Sequence, residues 1–164
     1  YTVALAKMCP NHNYIGVDIK GSRIYTGADI VEKEGLKNVL FIRTQIEYLE
    51  SIFSESEIHE IWLTFPDPQL KFNRRKKRLT YPNMLKKYKH ILSKKGIVNL
   101  KTDSLFLYGY TLGILEGENY NVIKAMHDIY RGVITDSRLR IKTHYENLFL
   151  EENKAINYLS FSFS

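Results

Sequence analysis

The stretch FPDPQLKFNRRKKRLT, Phe65 to Thr80, holds one carboxylate between two prolines and then six cationic side chains within eight residues. Pro66 and Pro68 restrict the backbone on either side of Asp67, so its carboxylate loses little entropy in staying aimed. A carboxylate held in this way can accept hydrogen bonds and stabilise positive charge that develops beside it. Lys71, Arg74, Arg75, Lys76, Lys77 and Arg78 can hold the phosphates of a polyanion. By composition alone the run is a solvated charged loop. Its attachment to an acid at the end of an apolar run favours the phosphate reading.

Three more residues stand directly after apolar runs: Asp18, Gln45 and Asp103. A single acid in such a place serves most simply as a helix cap. With Asp67, three of the four strand ends carry acids, which points instead to a ligand cleft, because α/β sheets bind ligands outside the carboxyl ends of their strands.

The elements that must position these residues follow from periodicity. Strands are expected over 13–19, 38–43, 58–65, 97–102, 120–129 and 155–164, the last alternating in polarity. Helices are expected over 1–8, 22–35, 46–53, 80–96, 103–118 and 143–154. Gly35 is placed to end the second, and Thr80, Pro82 and Gly96 to cap, open and close the fourth. This alternation predicts an α/β fold with a largely parallel sheet covered by helices on both faces.

With 164 residues the chain has room for one domain, residues 1–164, and its 44% hydrophobic and 26% charged composition is that of a soluble globular protein. No apolar run is long enough to span a membrane, so no membrane partner is expected. The five histidines are scattered with no Cys/His pair at zinc spacing, so no metal is expected. Cys9, the single cysteine, is expected to be a buried structural thiol, which fits a reducing cytoplasm. The net charge of +6 favours a polyanionic partner such as nucleic acid.

These motifs together resemble the bacterial tRNA (guanine-N7-)-methyltransferases, class I enzymes that depend on S-adenosylmethionine. FPDPQLKFNRRKKRLT is similar to the family's F-P-D-P-W-x-K with its following basic cluster. YIGVDI resembles Y-x-G-I/V-E/D, LKTD a strand-end T-D, and IKTHYE a late T-x-F/Y-E. YTVALAKMCPNHN looks like the helix after the family's G-x-G-x-G loop.

The resemblance implies a Rossmann-like fold with a mostly parallel sheet and an antiparallel last strand. It implies S-adenosylmethionine as cofactor, S-adenosylhomocysteine as product, tRNA as partner, and a monomer or homodimer in the cytoplasm. The reaction implied is methylation of N7 of a guanine in the tRNA variable loop. Asp67 would be the active-site acid and lie against the cofactor, which Asp18 and Gln45 would also bind. Lys71, Asp103, Thr143, His144, Tyr145 and Glu146 would bind the target nucleotide. Asn73, Arg74, Arg75, Lys76, Lys77 and Arg78 would contact RNA.

Two positions depart from the pattern. Gln69 stands where the family has Trp, and Gln45 where it usually has an acid. No glycine loop precedes the first helix, the first glycine being Gly16. The expectation is therefore an N-terminally incomplete domain that binds cofactor poorly and has a slot between neighbouring strands. A same-fold methyltransferase with another substrate, and a non-catalytic RNA-binding module lacking the cofactor loop, remain as alternatives.

Overall fold

Branched apolar runs and amphipathic stretches alternate along the chain, and each yields its element. In the computed structural model, which describes residues 1–163, these elements form two compact units. One is Tyr1–Leu49 with Asp136–Lys142; the other is Glu50–Thr135 with the chain from Thr143 onward.

The first unit contains α1 (Thr2–Met8), β1 (Tyr14–Asp18), α2 (Gly21–Glu34) and β2 (Val39–Arg43). β1 and β2 pair in parallel, with Tyr14 opposite Val39 and Asp18 opposite Arg43. α2 ends at Gly35, whose φ of 65° is left-handed backbone that favours glycine. The ring of Phe41 occupies the space that a Cβ would need on Gly16 or Gly27, coming within 2.5 Å and 2.4 Å of those positions. Two glycines thus let one aromatic ring of β2 sit against both β1 and α2. Cys9 caps the end of α1 as a half-buried free thiol, less enclosed than a structural core cysteine.

The second unit is built on β3 (Ile58–Thr64), α3 (Pro82–Ile91), β4 (Leu92–Thr102), α4 (Leu105–Gly117), β5 (Asn121–Met126), α5 (His144–Glu151) and β6 (Asn157–Ser162). Its sheet runs β3-β4-β6-β5. β3 and β4 are parallel, whereas β6 is antiparallel to both its neighbours. Leu85, Val98, Leu100, Leu107 and Leu159 have no exposed surface and form the core between strands and helices. Among the described residues each unit thus carries its own hydrogen-bonded sheet, β1-β2 in the first and β3-β4-β6-β5 in the second.

Several boundaries differ from expectation for local reasons. The helix expected over 80–96 stops at Ile91, because Leu92 is buried and pairs with Ile58 at the start of a long β4. Tyr81, not Thr80, is the N-cap; the Thr80 hydroxyl is buried and accepts a 2.8 Å hydrogen bond from the Thr111 hydroxyl. Gly96 does not cap a helix. It admits close packing, since a Cβ there would lie 2.8 Å from Leu92 Cδ2 and 2.9 Å from the Ser93 carbonyl. The stretch 46–53 forms only a 3-10 turn over Ile46–Ser51, and β5 stops short of Asp128, whose φ is 54°. β6 alternates in sequence, yet all six of its residues are buried. Its polar members find partners there, as when the Tyr158 hydroxyl donates to Asn99 Oδ1 at 2.6 Å.

Candidate active site

The carboxyl ends of β3 and β4 and the start of α5 come together in the second unit. Beyond β3, Phe65 N–H donates to the Lys101 carbonyl at 2.8 Å and carries the pairing one residue further. The chain then turns through Pro66, Asp67 and Pro68. Phe65 and Gln69, on either side, have φ of 50° and 47°, left-handed values that strain residues with bulky side chains. Asp67 is exposed, and its Oδ1 accepts the Gln69 N–H at 2.9 Å. This turn aims the carboxylate outward and restrains it.

The cationic run that follows is not uniform. Lys71, Asn73, Arg74, Lys76 and Lys77 are exposed, most of them on a 3-10 turn over Phe72–Lys77. Arg75 is half-buried; its guanidinium lies 4.1 Å from the centre of the Phe72 ring and donates to the Phe72 carbonyl at 3.2 Å. Phe72 itself is 77% exposed. Arg78, expected among the RNA contacts, is only 5% exposed, unlike the exposed cations before it. Its Nε donates to the carbonyls of Pro68 (3.2 Å) and Gln69 (3.3 Å), and its Nη2 to Gln69 again at 3.0 Å. The guanidinium also lies over the rings of Phe106 (4.8 Å) and Tyr110 (4.4 Å) of α4.

Asp103 follows β4 and is half-buried. It does not cap α4, because Ser104 does so by accepting the Leu107 N–H at 3.1 Å. Burial pushes its carboxyl above the ordinary aspartate value, aided by Glu152 and opposed by its own backbone N–H and by Lys154.

At the start of α5, Thr143 and Glu146 form a reciprocal capping box. His144 and Tyr145 are exposed. Glu146 has no exposed surface: it pairs with the equally buried Lys101 at 2.7 Å and accepts the Tyr130 hydroxyl at 2.7 Å. With both oxygens engaged, Glu146, expected among the nucleotide-binding residues, anchors α5 to β4. Burial, followed by the bond to Glu146 and its charge, pushes the Tyr130 phenol far up. The rings of Phe65 and Phe149, 5.8 Å apart, join the Asp67 turn to the same helix.

In the first unit, Asp18 and Gln45 follow the adjacent parallel strands β1 and β2. Asp18 Oδ1 accepts the Lys20 N–H at 2.8 Å, and Oδ2 pairs with Arg23 at 3.2 Å. A carboxylate oxygen has lone pairs to spare after one bond, and the Arg23 pair is solvent-exposed and weak, so Asp18 suits vicinal hydroxyls such as those of a ribose. The Gln45 side chain is exposed and offers an amide that can donate and accept.

Sequence reasoning did not single out Lys101, Tyr130 or Phe72. The signal for Lys101 was the one charged residue inside the strand IVNLKT. Among the described residues no cluster of His, Cys, Asp or Glu could hold a metal ion, and no helix is long and apolar enough to cross a membrane.

A family model described as "Putative methyltransferase" matches residues 1–159. The chain is 51% identical over 162 residues to the tRNA (guanine-N(7)-)-methyltransferase of Christiangramia forsetii, spanning 98% of this chain and 72% of that protein. The chain belongs to this family. The same-named proteins of Porphyromonas gingivalis and Bacteroides fragilis are 45% and 44% identical, over 98% of this chain and 66% and 63% of theirs. The chain thus spans about two thirds of the length of these curated relatives. Among solved structures, the 16S rRNA methyltransferase KamB superposes with a TM-score of 0.72 at 13% identity, over 98% of this chain and 81% of that one. At that identity the likeness shows the fold alone, a class I methyltransferase fold. Within the family's motifs, the Asp67 turn, Asp103 and Thr143 are brought to one end of the second unit, while Asp18 and Gln45 belong to the first.

Proposed function

We propose that the protein transfers a methyl group from S-adenosylmethionine to N7 of a guanine in tRNA, the guanine lying in the variable loop. The observation that carries this reading is 51% identity, across 98% of the chain, to a tRNA (guanine-N(7)-)-methyltransferase. The outward carboxylate of Asp67 and the exposed cations after it agree with the chemistry.

Guanine N7 bears a lone pair at neutral pH, so no residue has to remove a proton before it reacts. Bound S-adenosylmethionine supplies an electrophilic methyl group on a sulfonium. Asp18 suits the cofactor's ribose hydroxyls, and Gln45 the edge of its adenine. As N7 gains its bond to the methyl carbon, that carbon's bond to sulfur would break, S-adenosylhomocysteine would leave uncharged at sulfur, and the purine becomes cationic. Asp67 accepts hydrogen bonds from the guanine N–H groups and stabilises that charge. Asp103 and the Thr143 hydroxyl, from β4 and the α5 cap, complete the hold on the base. Alignment of the reacting atoms supplies much of the remaining rate. Lys71, Arg74, Lys76 and Lys77 hold phosphates and position the RNA without reading its sequence. The target base leaves its stack to reach the site, as enzymes acting on bases generally require.

Incubation of the natural full-length protein with methyl-labelled S-adenosylmethionine and unmodified tRNA, then nucleoside mass spectrometry, tests this. 7-Methylguanosine is expected. Labelled tRNA with the methyl group on another atom, or no labelled nucleoside, would overturn it.

A further inference from the structure

We propose that Arg78 is a positioning residue that fixes the Asp67 turn against α4 and so sets the placement of Asp67 relative to Asp103. This rests on the reading of Asp67 as a residue of the methyl-transfer site.

Arg78 closes a run of cations, and a phosphate contact needs an exposed charge. It is instead 5% exposed, and among the described residues no carboxylate pairs with it. A buried guanidinium is tolerated only where its N–H groups are satisfied. Here they donate to the carbonyls of Pro68 and Gln69, the two residues after Asp67. Gln69 is also the residue whose N–H holds Asp67 Oδ1. One peptide segment therefore receives Arg78 on its carbonyl side and offers its amide to the carboxylate.

The prolines account for only part of the turn's rigidity. They fix φ at 66 and 68, while the left-handed backbone of Gln69 is left to other contacts. Arg78 supplies these contacts from the side of the protein. Its planar face rests on Phe106 and Tyr110, which are themselves stacked with ring centres 6.3 Å apart. Both rings belong to α4, which starts two residues after Asp103. The guanidinium thus ties the loop of one acid to the helix that follows the other. Lysine cannot do the same, since an ammonium has neither the planar fork nor the stacking face.

Arg78→Lys and Arg78→Met in the natural full-length protein separate positioning from phosphate binding. Both should stay folded by thermal melting and lose about ten- to a hundredfold in kcat through misplacement of Asp67. tRNA affinity, measured without turnover, should hold within about twofold, with an unchanged salt slope because no phosphate contact is lost. A weaker affinity with a shallower slope would make Arg78 a phosphate contact and overturn the proposal. Unchanged kcat, or loss of folding in both variants, would overturn it equally. Asp67→Ala is measured alongside: retained turnover there would refute the role of the turn itself, whatever Arg78 does.

Discussion

In the reaction proposed above, which needs no base, the surroundings of Asp103 govern when its carboxylate is ionised. The carboxyl is half-buried at the end of β4, and burial raises its pKa despite the backbone N–H and Lys154. The folded protein therefore holds this proton more tightly than the unfolded chain does. Its contribution to stability is fully present below the ordinary aspartate pKa and is lost as pH rises through the raised folded value. Activity runs the other way, because only the ionised form accepts hydrogen bonds with both oxygens. The acid limb of kcat/KM is expected above the ordinary aspartate value. Asp103→Asn should remove that limb and leave a low, flat profile. A limb that persists in Asp103→Asn would assign it to another group. Asp67 differs in kind: it is exposed, it is held by one backbone bond, and its value lies in aim.

At the scale of elements, the start of α5 is held to β4 by charge as well as packing. Lys101 and Glu146 have no exposed surface, and Tyr130 and the Thr143 cap engage the same carboxylate. Removing one member strands the other's charge in the interior. Lys101→Met is therefore expected to cost about 3–5 kcal/mol in chemical denaturation, and Lys101→Met with Glu146→Leu to recover most of it. Equal destabilisation in the single and double variants would show that the pair's packing matters and its charge does not. This pair also marks where sequence reasoning ends. β3 and α2 with its Gly35 stop are legible because each signal is local: a branched run and a left-handed cap. The end of α3 was not legible, because Leu92 joins a strand whose partner, Ile58, is distant in the chain. Arg78 and Glu146 looked like their motif neighbours for the same reason. What sets them apart is burial against α4 and β4, which periodicity does not report.

For the whole molecule the governing quantity is charge. The net +6 draws the protein toward any polyanion, but only exposed cations near the site can turn attraction into placement. Lys71, Arg74, Lys76 and Lys77 are exposed after the Asp67 turn, whereas Arg78 is buried and Arg75 is folded onto Phe72. Each phosphate neutralised by a cation releases counterions, so each contact steepens the fall of affinity with salt. Neutralising Arg74, Lys76 and Lys77 together, as glutamines, should weaken tRNA binding and lower the slope of log affinity against log salt by about two to three. The kcat at saturating tRNA should change little, since none of the three holds the base. If the slope stays the same, these side chains are solvated bystanders and the tRNA is gripped elsewhere. If the slope falls and kcat falls with it, the run also orders the turn that carries Asp67. Arg78 then shares its positioning work with the cations that precede it.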